Sequence, residues 1–201
     1  MPDFALPTPT REFEFTRRDF ERVRQMIYAH AGIALSDAKE DLVYSRLARR
    51  LRATGIRSFH EYLARLENDS DPEWEAFVNA LTTNLTSFFR EAHHFPILAA
   101  HLKGIHRSAR IWCSASSTGE EPYSIAITAA EAAASNRPAV EILASDLDTN
   151  VLAKAMTGVY DAERVEKMPE ARLRQFFLRG SGPHEGHVRS RGPHPGFGWL
   201  L

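Results

Sequence analysis

The chain has 201 residues, 43% of them hydrophobic and 25% charged, with a formal net charge of −1. That is the composition of an ordinary globular protein, long enough for one large domain or two small ones, and its near-neutral charge offers no global field to gather nucleic acid or a membrane surface. The single cysteine, Cys113, excludes an internal disulfide and fits a reducing compartment. No apolar run approaches the roughly 18 residues of a membrane span, and the N-terminus lacks a charged-then-apolar signal pattern, so a cytoplasmic protein is expected.

In chain order, residues 1–15 are punctuated by proline and read as a loose leader. Thr16 with Asp19 has the form of a capping box opening a helix. Phe20, Val23, Ile27 and Ala31 then recur on one helical face until Gly32. Ser36 is placed to cap a second helix that runs to about Ala53 and stops at Gly55. Ser58 with Glu61 opens a short third helix through Leu66. Asp71-Pro72 begins a fourth, with Trp74, Phe77, Val78 and Leu81 along one side. Residues 16–80 are therefore expected to form an all-α unit.

The segment TTNLTSFFRE (82–91) interrupts the helical pattern with β-branched and capping residues, and helix resumes from His94 to Leu102. An apolar strand at 110–115, a helix at 121–135, a strand at 140–145 and a helix from Thr149 follow, with one more helix over Pro169–Leu178. This is the opening half of a Rossmann-like α/β sheet. From Gly180 the sequence is rich in Gly, Pro, His and Arg and shows no strand of convincing length. His184, His187 and His194 lie there, but a Gly/Pro-rich tail is a poor metal cage, and no metal site is expected.

The acidic residues at the two strand ends indicate the ligand. A pyrophosphate needs bare backbone N–H groups at the helix start after the first strand, and Glu120 and Glu121 there would repel it. A ligand with ribose hydroxyls and positive charge but no phosphate fits better, and S-adenosylmethionine is one. Helix-dipole complementarity, worth about 0.3–1 kcal/mol, is the plainer account of Glu120 and Glu121. A turn or cap role is the plainer account of Asp146. On the second helix, regular spacing stacks Lys39, Arg46 and Arg50 within roughly 40°, with Arg49 further round the polar side. An ordinary solvated basic face would look the same.

Three motifs in order, TTNLTSFFREAHHF (82–95), STGEEPYSIA (117–126) and ASDLDTNVL (144–152), resemble those of the CheR-type chemotaxis receptor methyltransferases. The resemblance implies an N-terminal all-α domain (16–80) followed by an incomplete Rossmann-like methyltransferase domain (81–186). It implies transfer of a methyl group from S-adenosylmethionine to glutamate side chains in the cytoplasmic domain of chemotaxis receptors. Carried over motif by motif, Asn84, Thr86, Arg90, Glu121 and Asp146 would bind the cofactor. Arg90 would also act catalytically, its fork of N–H donors holding the incoming carboxylate, although an arginine beside Phe88 and Phe89 is also placed merely to snorkel from an apolar cluster. Lys39, Arg46, Arg49 and Arg50 would dock the acidic receptor helices. A monomer is expected, with no nucleic-acid partner and no membrane insertion.

Family members continue with further strands, an Asn-rich turn, an aromatic motif against the cofactor and a small β-subdomain able to bind a receptor's C-terminal tether. None of these is evident here, and residues 187–201 read as a divergent tail. A truncated product with an exposed sheet edge and a cofactor pocket lacking one wall is the expectation. Two rivals stand beside it. One is a catalytically inactive receptor-binding module. The other is a dinucleotide-dependent oxidoreductase, disfavoured because SASSTGEE lacks the G-x-G-x-x-G spacing.

Overall fold

The computed structural model describes residues 11–105, 107–132 and 140–191, together with the backbone of 197–200. The chain divides into two compact units, Met1–Thr82 and Thr83–Leu201.

The first unit holds four helices, α1 (Arg17–Ala31), α2 (Glu40–Thr54), α3 (Phe59–Arg65) and α4 (Glu73–Leu81). The Thr16 hydroxyl accepts from the Asp19 N–H while the Asp19 carboxylate accepts from the Thr16 N–H, a complete capping box. Gly32 closes α1 at φ 69°, a left-handed conformation that a side chain would disfavour. Ser36 does not cap α2. Its side chain makes no cap bond, and a 3-10 turn over Asp37–Lys39 comes first, anchored by Arg17 and Arg24 on the Asp37 carboxylate at 2.7 and 3.0 Å. Lys39 therefore lies outside the regular spacing of α2. Asp71 does cap α4, accepting from the Glu73 N–H at 2.8 Å.

Phe20, Val23, Ile27, Leu47, Leu51, Phe77 and Leu81 meet in one core with the α3 residues Phe59, Tyr62 and Leu63. The expected loose leader is corrected over residues 11–15. After a bend at Glu12 and Phe13, Phe13 and Phe15 both pack on the helical core. Both rings reach Phe59, at centroid distances of 6.4 and 4.5 Å, and Arg11 pairs with Asp41. The rest of that leader lies outside the described residues.

The second unit begins with a non-helical strap (83–93) and α5 (His94–Gly104). Next come β1 (Ala109–Cys113), α6 (Glu120–Ala132), β2 (Val140–Ser145) and α7 (Thr149–Thr157). The expected end of the helix at 135 lies outside the described residues. Strands β1 and β2 are parallel and in register from Ala109↔Val140 to Cys113↔Ala144. Alternation sends Cys113, Ile142 and Ala144 to the face that α5 and α6 cover, where Phe95 and Ile125 pack on Cys113 and Ile142. The opposite face carries Arg110, Trp112, Glu141 and Leu143, and Trp112 is 69% exposed.

The last third of the chain departs from expectation. After α7 come β3 (Val159–Asp161), a 3-10 turn (Ala162–Val165) and α8 (Glu170–Phe176), then β4 (Phe177–Arg179) and β5 (His187–Ser190). The three strands form an antiparallel sheet in the order β3-β5-β4. A small β-subdomain is therefore present, and its central strand comes from what reads in sequence as the divergent tail. Further on, β6 (Phe197–Leu200) lies parallel to β2 on the side away from β1. Both corrections have one cause. Strands of three or four residues are too short to show a periodicity, and each becomes a strand only through its neighbours. Among the described residues no helix is long and apolar enough to cross a membrane.

Candidate functional site

The C-terminal ends of parallel strands in an open α/β sheet are where ligands bind; Glu121 opens the helix after β1, Asp146 follows β2, and Asn84 is tied to Asp148 beside it. From β1 the chain turns through Ser114–Gly119 into α6. The Ser116 N–H bonds the Ser145 carbonyl at 2.9 Å, which fastens this loop to the end of β2. Asp146 follows β2 directly. Its Oδ2 accepts from the Ser117 N–H at 2.7 Å and its Oδ1 from the Asp148 N–H at 2.9 Å. One carboxylate thus joins the two strand-end loops. Ser117 sits at φ 48°, a left-handed conformation of a non-glycine residue, held in place by that bond. The Ser116 and Ser117 hydroxyls are buried and have no hydrogen-bond partner among the described residues.

The two glutamates that open α6 separate sharply. Glu120 is 1% exposed, and its Oε2 accepts from the Thr118 hydroxyl at 2.6 Å. Glu121 is exposed at the mouth of the site. The Cys113 thiol senses the local field: burial pushes it up to about 11, and the Glu121 and Asp146 carboxylates add to the rise. Negative potential at the end of β1 is therefore a property of this geometry, and it favours a cationic ligand over an anionic one.

The strap brings the third group. Asn84 donates to Asp148 Oδ2 at 2.7 Å, while Asp148 Oδ1 caps α7 by accepting from Asn150 and Val151. Sequence reasoning missed Asp148 as the anchor of Asn84, although an aspartate just ahead of a helix start was a legible cap signal. Phe88 turns inward against Tyr160 and Phe177 at centroid distances of 4.9 and 5.6 Å. The Phe89 N–H bonds the Ser124 hydroxyl at 2.9 Å, and the Arg172 guanidinium stacks over its ring at 4.2 Å. Phe89 and Glu91 both hold left-handed φ values, 52° and 51°, on either side of Arg90. This tight turn leaves Arg90 exposed, with one Nη donating to the Leu85 carbonyl at 2.8 Å. The Thr86 carbonyl accepts from Arg164 at 3.2 Å.

The basic residues of the first unit differ in what they already hold. Arg50 makes a two-pronged pair with buried Glu73, at 2.8 and 2.9 Å, and Tyr62 donates to the same carboxylate at 2.9 Å. Arg46 donates to the Ala80 and Thr82 carbonyls. Lys39 and Arg49 are exposed, and among the described residues Arg49 reaches the Ser45 carbonyl one turn back. Of the four cations expected on one basic face, Arg46 and Arg50 therefore serve the fold. His187 faces Asp161 at 3.3 Å, and His194 lies outside the described residues. Among the described residues no three His, Cys, Asp or Glu side chains group as metal ligands.

The chain matches two family models, the CheR methyltransferase all-alpha domain over residues 18–82 and the CheR methyltransferase SAM binding domain over 84–191. It is 52% identical over 183 residues to the chemotaxis protein methyltransferase of Salmonella typhimurium, a match covering 90% of this chain and 64% of that protein. It is 53% identical over 191 residues to chemotaxis protein methyltransferase 2 of Pseudomonas aeruginosa, covering 92% and 68%. Against chemotaxis protein methyltransferase 2 of Vibrio cholerae it is 37% identical over 183 residues, covering 87% and 64%. The chain spans about two thirds of the length of these curated relatives. With both domain models matched in order and the strap and strand-end loops assembled as described, the chain belongs to the CheR methyltransferase family.

Proposed function

We propose that this chain carries the S-adenosylmethionine half-site of a protein-glutamate O-methyltransferase acting on chemotaxis receptors. The observation that carries the reading is the acidic strand-end site, in which Asp146 joins the two loops and Glu121 stands exposed beside it. Two orphaned, buried serine hydroxyls and two carboxylates suit a cationic, hydroxyl-bearing ligand and repel a phosphate. S-adenosylmethionine, when bound, supplies a methyl group on a sulfonium centre. In this reading Asp146 accepts from ribose hydroxyls, Glu121 faces the ligand's positive charge, and Asn84 and Thr86 close over it from the strap.

Arg90 spends one N–H on Leu85, and the other donors of its fork remain to hold a glutamate carboxylate in line with the methyl group. That carboxylate is already ionised near pH 7, so its oxygen can attack without giving up a proton and no general base is needed. Catalysis then rests on alignment and on removing water from the reacting charges. Lys39 and Arg49, exposed on the first unit, are the side chains best suited to an acidic receptor helix. β4 is an edge strand of the small sheet, and an extended receptor tether would add to it there.

The test is calorimetric titration of the chain with S-adenosylhomocysteine, with Asp146→Ala and Glu121→Gln variants beside it. Micromolar binding abolished by Asp146→Ala and weakened by Glu121→Gln is expected, with the Glu121→Gln melting temperature unchanged. No binding by a chain whose circular dichroism is that of a folded protein would leave the inactive receptor-binding module as the better account. For docking, charge reversal at Lys39 and Arg49 is the clean experiment, because reversal at Arg46 or Arg50 also breaks internal bonds.

A further inference from the structure

Arg164 belongs to neither strand-end motif. It sits in the 3-10 turn that follows β3, at the base of the small antiparallel sheet. Its Nη1 donates to the Thr86 carbonyl at 3.2 Å and lies 3.4 Å from Glu120 Oε1. That oxygen is buried, and it has no hydrogen-bond partner among the described residues. One guanidinium group therefore serves two sites at once: a backbone acceptor in the strap and the Glu120 oxygen at the start of α6 that Thr118 does not reach. A buried carboxylate without its cation is strongly disfavoured, so the pairing fixes where Arg164 must lie and, through it, where the strap lies.

The neighbouring contacts run the same way. The Tyr160 hydroxyl donates to the Thr118 carbonyl at 2.8 Å in the β1–α6 loop, and its ring packs on Phe88 of the strap. The Thr118 carbonyl and the Thr86 carbonyl are thus held from β3 and from the turn that follows it.

We infer that Arg164 is a positioning residue for cofactor binding, locking the Asn84–Arg90 strap to the α6 start that carries Glu121. This rests on the reading that the strand-end site takes S-adenosylmethionine. Arg164 touches no reacting atom in it. Its loss leaves Glu120 buried with no cation beside it, removes a donor from Thr86, and lets the strap move away from the site.

The experiment uses the full chain as wild type, Arg164→Ala, Arg164→Lys and the double variant Arg164→Ala with Glu120→Gln. Each is titrated with S-adenosylhomocysteine, and amide hydrogen exchange across 84–90 is followed without ligand. Arg164→Ala is expected to weaken binding roughly tenfold, about 1.4 kcal/mol, and to speed exchange in the strap. Arg164→Lys keeps the charge and recovers part of both, even if the alanine variant folds poorly. The double variant recovers the part due to the stranded Glu120 charge. Wild-type affinity in Arg164→Ala, or strap exchange at the wild-type rate, would overturn the inference. If the wild-type chain itself fails to bind, the cofactor reading fails, while the exchange measurement still decides whether Arg164 holds the strap.

Discussion

The two units bury their apolar residues in different ways. In the helical unit one continuous core gathers residues from the pre-helical segment and all four helices, and Phe20, Val23, Ile27, Leu47, Leu51 and Phe77 are fully buried. Among the described residues of the α/β unit the clustered core is split into three smaller groups, two that include residues of the parallel sheet and one between α6 and the small sheet, while the other face of the parallel sheet shows Trp112 and Leu143 to solvent. A helix needs to bury one stripe, and four short helices can do that for each other. A parallel sheet needs cover on both faces. The difference teaches that the two units answer to different tests: the first through the packing of a single core, the second through the loops at its strand ends.

The largest expected effect follows from the closed core. Phe77→Ala removes a ring packed edge-on to Trp74 and tilted against Tyr62, and the loss is expected to cost about 3–5 kcal/mol. Urea unfolding monitored by circular dichroism reads this directly. A cost below about 1 kcal/mol would mean that the helical core relaxes as easily as an exposed surface, and the contrast between the units would collapse.

Much of that helical unit was legible in sequence, because its signals are local. Thr16 and Asp19 are three residues apart, Gly32 and Gly55 stand where the helices stop, and the apolar stripe of α4 is contiguous in the chain. Strands β1 and β2 were legible as apolar runs with polar turns behind them. The small sheet was not, since VYD, FLR and HVRS have no period to read and meet only across intervening segments. The site divides in the same manner. Asn84, Arg90, Glu121 and Asp146 sit inside recognisable motifs, whereas Arg164 matters only because folding brings it to Thr86 and Glu120. Helical spacing put Arg46 and Arg50 on a basic face. It had no means of showing that Ala80, Thr82 and Glu73 would already hold them.

An intermediate effect is expected at high pH, where the comparison sharpens. Burial raises the Cys113 thiol from its ordinary 9.0 to about 11 and the Tyr123 hydroxyl from 10.0 to about 12, and it raises Tyr160 as well. In the helical unit the Tyr62 hydroxyl is raised too, by burial first and then by its bond to Glu73. Each group holds its proton more tightly folded than unfolded. The associated stability is fully present below the unfolded value and is lost as pH climbs through the folded one. For Cys113 the window is pH 9 to about 11, and for Tyr123 pH 10 to about 12. Melting temperature should fall across that range, with amides of the α/β unit losing exchange protection before those of α1–α4. Cys113→Ala should flatten the lower part of the slope. A melting temperature constant from pH 9 to 11 would show that these groups are not buried as described.

The smallest effect on stability, and the most telling for the open sheet face, is expected at Trp112. Its indole N–H bonds the Ser145 hydroxyl at 3.0 Å, but the side chain is mostly in water and lies on the face opposite α5 and α6. Replacing it removes little burial, so Trp112→Ser should change unfolding free energy by no more than about 0.5 kcal/mol. A large aromatic exposed beside Leu143 is, however, a contact point for any other apolar surface, including a second copy of the same face. Light scattering across a concentration series should therefore show weaker self-association for Trp112→Ser than for the wild-type chain, at nearly unchanged stability. If the substitution instead costs as much as Phe77→Ala, Trp112 is covered in solution by some part of the chain. The sheet would then be two-sided after all, and the contrast between a closed helical core and a half-covered sheet would no longer describe this protein.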